Sequence, residues 1–239
     1  MNTIKHIIEP KRLLLCWQAP EGVNRKRFIV GELIKSECNY TFRYLLDSGD
    51  IKEATVYGFQ GYPAFKELNK EYNQGVMESF MRRLPPKSRG DFDKYLHLFR
   101  LPTTAQISDF SLLGYTGAKL PTDGFSITNP FDGLTEPCEF LLEVAGFRYF
   151  SDIKTKDLNI GDPVSIQQDK DNQVDKNAIK IEYKGKKIGY VNRALTSTFS
   201  SWITSKTKIQ AVIERVNGHP VRPLVYLFVS VRPKLASKK

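Results

Sequence analysis

Arg148 and Tyr149 are neighbours in the chain, and together they could hold one nucleotide. The guanidinium offers a planar, permanent charge to phosphate, and the phenol ring offers a face on which a base can stack. On residue type alone the plainer arrangement is favoured, with Tyr149 packed in a core and Arg148 solvated. A second group, Lys186, Lys187, Tyr190, Asn192 and Arg193, falls on a predicted hairpin and the start of the following helix. Lysines beside a helix N-terminus suit phosphate, although an exposed hairpin with charged tips fits these residues nearly as well. Arg82, Arg83, Lys87 and Arg89 surround Pro85-Pro86 and fit a solvated helix end better than a contact with nucleic acid or an acidic protein.

The acidic residues point to no metal. Asp169, Asp171 and Asp175 alternate as calcium ligands would, but Val174 and Lys180 stand where such a loop needs glycine and a bidentate glutamate. His6, His97 and His219 are isolated, and no phosphate-binding glycine loop, nucleophile elbow or metal-ligand array is present. The expectation is therefore no catalytic residue, no metal and no cofactor. A metal-independent nuclease built on Asp162, Asp169 or Asp175 is the weakest of the readings.

The chain must also fold around these residues. At 239 residues, 41% hydrophobic and 12% aromatic, it has room for one large domain or two ordinary ones. No apolar run approaches the roughly 20 residues that cross a bilayer, and residues 1–6 lack the apolar core of a secretory signal. Three dispersed cysteines, Cys16, Cys38 and Cys138, fit a reducing cytoplasm and neither a disulfide framework nor a zinc site. The net charge of +10 is uneven: residues 1–137 carry 18 Lys and Arg against 16 acids, residues 138–239 carry 18 against 10. A polyanion would be drawn to the second half, although a soluble basic surface ending in Lys238-Lys239 accounts for the charge equally well.

Periodicity predicts an α+β chain. In the first half, residues 27–33 and 40–45 read as a hairpin of two strands, and 67–83, 91–99 and 107–113 as helices, with Pro85-Pro86 and Pro102 as stops. A Pro-, Gly-, Asp- and Asn-rich loop over 121–137 separates the halves, giving domains at 1–128 and 138–239 joined by a linker at 129–137. In the second half, 140–149, 163–168, 178–183 and 187–191 read as strands, 193–202 as a short helix, and 209–216 with 224–231 as a closing pair around an Asn217-Gly218 turn. Many short strands around one small helix suggest a partly open barrel resembling an OB-fold.

Four segments of the second half resemble, in order and spacing, a HIRAN domain, the small β-barrel that in its studied relatives grips single-stranded DNA ends. They are Val144-Ala145-Gly146-Phe147-Arg148-Tyr149-Phe150, Asn159-Ile160-Gly161-Asp162, the run 169–179 and Gly185-Lys186-Lys187-Ile188-Gly189-Tyr190-Val191. The resemblance covers about residues 138–235 and implies that Arg148 and Tyr149 meet the nucleotide at the barrel rim. It also implies that the Asp and Asn residues of the loop 169–177 shape a turn bordering the pocket, where Asp175, Lys176 and Asn177 match the pattern, with Lys176, Lys186 and Lys187 near the phosphates. The chain departs from the pattern at Val174, where DNA-end-binding relatives place an aromatic.

About residues 25–128 resemble the small N-terminal subdomain of HipA-type toxin kinases, through Val30-Gly31-Glu32-Leu33, Tyr40-Thr41-Phe42-Arg43-Tyr44, Phe80 with Leu84-Pro85, and Leu112-Leu113-Gly114-Tyr115-Thr116-Gly117-Ala118. No kinase follows, so this resemblance implies scaffold and protein contact. Together the two resemblances imply a cytoplasmic bacterial or phage accessory, with DNA as partner and single strands or ends preferred to plain duplex. The DNA would be processed by a separate nuclease, helicase or nucleoprotein effector, in restriction, repair or antiviral defence such as a CRISPR effector nuclease, and a homodimer would amplify the linked binding. The alternative is a protein–protein adaptor or antitoxin-like regulator whose barrel no longer binds DNA.

Overall fold

The apolar run Leu13 to Trp17 forms β1 (Arg12–Gln18), and its unbroken hydrophobicity matches its place between two strands inside a sheet. β2 (Arg27–Lys35) and β3 (Tyr40–Tyr44) make the hairpin expected from their alternating residues. The computed structural model describes every residue except 1, 21, 23–25, 38, 151, 174, 220–221 and 234–239. Expectations resting on Cys38, Val174 and Lys238-Lys239 lie outside the described residues.

The chain divides into two compact units: residues 8–95 with 104–131, and residues 1–7, 96–103 and 132–239. The short segments 1–7 and 96–103, read from the sequence as part of the first half, thus pack with the last hundred residues. Helices α1 (Gly49–Val56), α2 (Val76–Met81), α3 (Phe92–Leu98) and α4 (Asp109–Thr116) follow the hairpin. Ser48 and Ser108 cap α1 and α4, accepting from the backbone of Ile51 and Ser111, contacts typically worth about 1 kcal/mol each.

Three first-half expectations are corrected. The helix expected over 67–83 shrinks to α2, because Phe65 and Tyr72 tie the preceding stretch down through bridges to Tyr62 and Phe42. The segment 121–137 is not all loop: it contains β4 (Phe125–Thr128), an antiparallel partner of β1 that completes the order β3-β2-β1-β4. The basic group around Pro85-Pro86 is no open patch. Arg83 is buried; its Nη atoms hold both Asp123 oxygens at 2.8 and 2.9 Å, and its Nε donates to the Ala118 carbonyl. Lys87 pairs with Asp109 and Arg89 with Asp91, leaving the group largely neutralised.

The second unit is a single curled sheet. β5 (Cys138–Glu143), β6 (Pro163–Gln168), β7 (Ile179–Tyr183), β8 (Lys186–Tyr190), β9 (Lys208–His219) and β10 (Arg222–Arg232) lie in the order β5-β10-β9-β6-β7-β8. Helix α5 (Thr196–Thr204), entered through a 3-10 turn at Arg193–Leu195, buries Phe199 and Trp202 against Phe140. The strand expected over 140–149 ends at Glu143, since Gly146 turns left-handed with φ 79°. Asn217 and Gly218 sit inside the β9–β10 ladder, opposite Leu224 and Pro223, instead of forming its turn.

The two short segments brace this sheet with charge. Arg100 donates through Nε to Glu214 at 2.5 Å with both side chains buried, and Asn2 takes the other Glu214 oxygen at 2.6 Å. The backbone N–H groups of Lys5 and His6 both donate to Glu139. Burial pushes the Glu139 carboxyl up, but the His6 and backbone contacts outweigh it and hold its pKa below the ordinary glutamate value. Among the described residues no helix is long and apolar enough to cross a membrane.

Candidate nucleic-acid interface

A 3-10 turn over Phe147–Tyr149 begins where β5 ends. With three residues per turn, successive side chains splay in different directions. Phe147 points inward and is buried, Arg148 is half-buried, and Tyr149 is 66% exposed. The Arg148 guanidinium lies 4.5 Å from the centre of the Tyr149 ring and donates to the Tyr149 hydroxyl. A cation over an exposed ring contributes about 0.5–1 kcal/mol, enough to pre-order the pair without fixing it.

The turn stands where the sheet closes on itself. Ala145 and Tyr190 exchange both backbone hydrogen bonds, at 2.8 and 2.9 Å, joining the end of β5 to the end of β8. Gly189 makes this approach feasible. A Cβ at that position would lie 2.5 Å from Val144 Cγ1 and 2.6 Å from the Ala145 oxygen, at a φ of 152° that other residues rarely adopt.

Closure brings Tyr190 and Lys187 beside the turn. The Tyr190 hydroxyl donates to Asp169 Oδ2 at 2.9 Å and accepts from Lys187 Nζ at 2.9 Å and Asn172 Nδ2 at 3.0 Å. Lys187 also reaches Asp169 at 3.2 Å and lies over the rings of Phe150 and Tyr190. Phe150 meets Tyr190 edge-on at 5.8 Å. Burial works to raise the Asp169 pKa, but the Tyr190 and Lys187 hydrogen bonds win and hold it below the ordinary aspartate value. The Tyr190 oxygen, then Asp169, hold the Lys187 ammonium above its ordinary value against its own burial.

The loop after β6 is built from its own polar groups. Asn172 Oδ1 accepts from the Asp175 N–H at 2.8 Å, and Asp175 Oδ1 accepts from the Asn177 N–H at 2.9 Å. Asp175 therefore shapes the turn, while Lys176 and Asn177 are exposed on it, and Asn172 links the loop to Tyr190. Lys186 is exposed at the opposite end of β8, about 13 Å along the strand from Tyr190. Arg193 is exposed in the 3-10 turn that enters α5.

The structure thus brings Arg148, Tyr149, Lys187 and Tyr190 to one rim, ties Asp175 to it through Asn172, and sets Lys186 apart. The sequence reading places Asp169 and Asn172 in the loop whose Asp and Asn residues shape the turn, but gives neither of them, nor Phe150, a place in the binding site. Asp169 is instead the buried acceptor that orients Lys187 and Tyr190. Among the described residues no group of three or more His, Cys, Asp or Glu is placed to hold a metal ion.

Residues 138–231 match the family model of the HIRAN domain. Two solved structures are similar to part of the chain. The HIRAN domain of human HLTF is 24% identical over 40% of this chain and 76% of its own, with a TM-score of 0.34. A protein from Lactobacillus plantarum is 20% identical over 41% of this chain and 99% of its own, also with a TM-score of 0.34. No curated protein matches the chain.

Proposed function

We propose that the segment matching the HIRAN domain binds DNA at the Arg148–Tyr149 rim, and that the chain is a non-catalytic accessory holding DNA for a separate processing enzyme. DNA binding is the function a HIRAN domain suggests. The observation that carries the reading to these residues is the exposed Tyr149 ring with its guanidinium neighbour, standing on a barrel seam with Lys187 beside it. A base stacked on Tyr149 would place its phosphate toward Arg148, with the exposed Lys176 and Arg193 as further cations on the same unit. Single strands and ends suit such a rim, because their bases are free to stack.

The first unit, with its HipA-like sequence, would serve as scaffold and protein contact. The enzyme it serves would be a nuclease, helicase or nucleoprotein effector of bacterial defence, restriction or repair, a CRISPR effector nuclease among them. Fluorescence anisotropy with a labelled single strand, repeated over a range of salt, tests the binding step. Affinity should fall steeply with salt, and Tyr149→Ala should weaken it roughly 5- to 150-fold, the range for loss of one stacked base. Salt-insensitive binding untouched by Arg148→Ala and Tyr149→Ala would turn the proposal toward the adaptor.

A further inference from the structure

The polar side chains beside the barrel seam are largely spent on one another. Asp169, Asn172, Lys187 and Tyr190 close one network, and Lys180, opposite Tyr190 on β7, donates to Glu182. Asn192 stands apart from them. Among the described residues of the second unit, its Oδ1 is the one side-chain polar atom sealed from solvent without a hydrogen-bond partner. The residue as a whole is half-exposed. An unmet buried acceptor is costly to a folded chain, so its retention calls for a reason.

Local structure supplies none. Asn192 precedes the 3-10 turn at Arg193–Leu195 with φ −64° and ψ 151°, the backbone of a helix cap, yet its side chain makes no capping bond. Its main-chain carbonyl serves there instead, accepting from the Leu195 N–H at 3.0 Å and the Thr196 hydroxyl at 3.4 Å.

The register sets this amide on the same face as the rim's inner residues. Val191 is buried and donates to the Ile179 carbonyl, so the residues flanking it, Tyr190 and Asn192, both project to the opposite face. Two residues of extended chain place them about 7 Å apart. The Ala145–Tyr190 bridge is antiparallel, so Asn192 lies on the side of Tyr190 away from the Phe147–Tyr149 turn. A strand with one base stacked on Tyr149, crossing the seam at Tyr190, would bring its next base to Asn192.

The chemistry of the unmet atom selects among the parts of that strand. An acceptor needs a donor, and neither a phosphodiester nor an internal deoxyribose carries one. Base edges do. Adenine sets an amino group beside a ring nitrogen and so meets both the oxygen and the nitrogen of an asparagine amide. No printed partner restrains the Asn192 amide from turning to make that pair.

We infer that Asn192 reads the second base of a bound single strand and favours adenine there. The inference rests on DNA binding at the rim and deepens it by naming a base preference. Anisotropy with short labelled dT strands, carrying one dA at each position in turn, tests it on the full chain. Wild type should bind the strand with dA at one particular position about 5-fold more tightly than all-dT. Asn192→Leu should erase that preference and leave all-dT affinity within about 2-fold, whereas Tyr149→Ala should weaken every strand. Because Asn192→Leu removes an unmet acceptor, its thermal midpoint should hold or rise, and Asn192→Ala gives the same readouts with a smaller side chain.

If wild type shows no preference for dA, or both Asn192 variants keep it, while Tyr149→Ala still weakens binding, the inference falls and the rim stands. A lowered midpoint in both variants would make Asn192 a structural residue and overturn the inference as well. If wild type binds no strand, the rim falls and takes Asn192 with it.

Discussion

Both units set an arginine against aromatic rings, and the two arginines have opposite fates. Arg83 is buried, 5.7 Å from the Tyr62 ring and 5.9 Å from the Phe125 ring, with its donors divided among Asp123, Ala118 and Phe125. Arg148 is half-buried over an exposed ring and donates to that ring's own hydroxyl. Other cations of the first unit also meet acids: Arg12 and Arg43 share the buried Glu32, and Lys87 and Arg89 meet aspartates. A basic residue signals a ligand only where the fold leaves it without an acid and within reach of solvent. Charge counts alone cannot separate the two cases.

The sharpest way to break this contrast is to exchange the consequences. Arg83→Ala should cost about 3 kcal/mol or more of stability, because it strands Asp123 and empties a packed site. Thermal unfolding should register that loss while the intact barrel keeps its DNA affinity. Arg148→Ala should do the reverse, moving the midpoint by no more than about 0.5 kcal/mol equivalent while weakening DNA binding. A stable Arg83→Ala chain with weakened DNA binding would erase the distinction.

Gly189→Ala should have the next largest effect. The added methyl meets backbone 2.6 Å away at an unfavourable φ, so about 1–3 kcal/mol of strain should part the β5–β8 seam. Hydrogen exchange at the Ala145 and Tyr190 amides should quicken, and DNA affinity should drop although Arg148 and Tyr149 are unchanged. If affinity survives an opened seam, the rim does not depend on closure.

Acid should act more gently, and through Asp169. Its folded pKa lies below the ordinary aspartate value of 3.8, so the stability it contributes is complete above that value. That stability is lost as the pH falls through the lower folded value. Thermal midpoints should therefore hold level from neutral pH to about 5 and decline below 4. Asp169→Asn should flatten part of this decline and loosen Lys187 and Tyr190. An unaltered acid profile in that variant would remove Asp169 from the network's centre.

The strands of both hairpins, β2–β3 and β7–β8, were legible because alternation and turn residues act within a few positions. α1 was not, since its Gly49 start and β-branched Ile51, Thr55 and Val56 weaken the helical pattern and only the Ser48 cap announces it. β4 hid inside a stretch of Pro, Gly and Asp because a four-residue strand acquires its identity from β1, more than 100 positions away. At the rim, Arg148 and Tyr149 could be named from their types and family pattern, but whether Tyr149 faced solvent could not. The 3-10 turn after Gly146 decides that, by sending Phe147 inward instead.

Sequence alone determined the kinds of group available: a basic second half, a ring beside a guanidinium, and strands of the right length to curl. These follow from side-chain chemistry and short-range periodicity, which need no partner. Tertiary structure decided which groups stay open to a ligand. Arg83 found Asp123 at a separation of 40 residues, Tyr190 found Asp169 at 21, and His6 found Glu139 at 133. Electrostatic and hydrogen-bond satisfaction depends on distance in space, and folding sets those distances where adjacency in the chain does not.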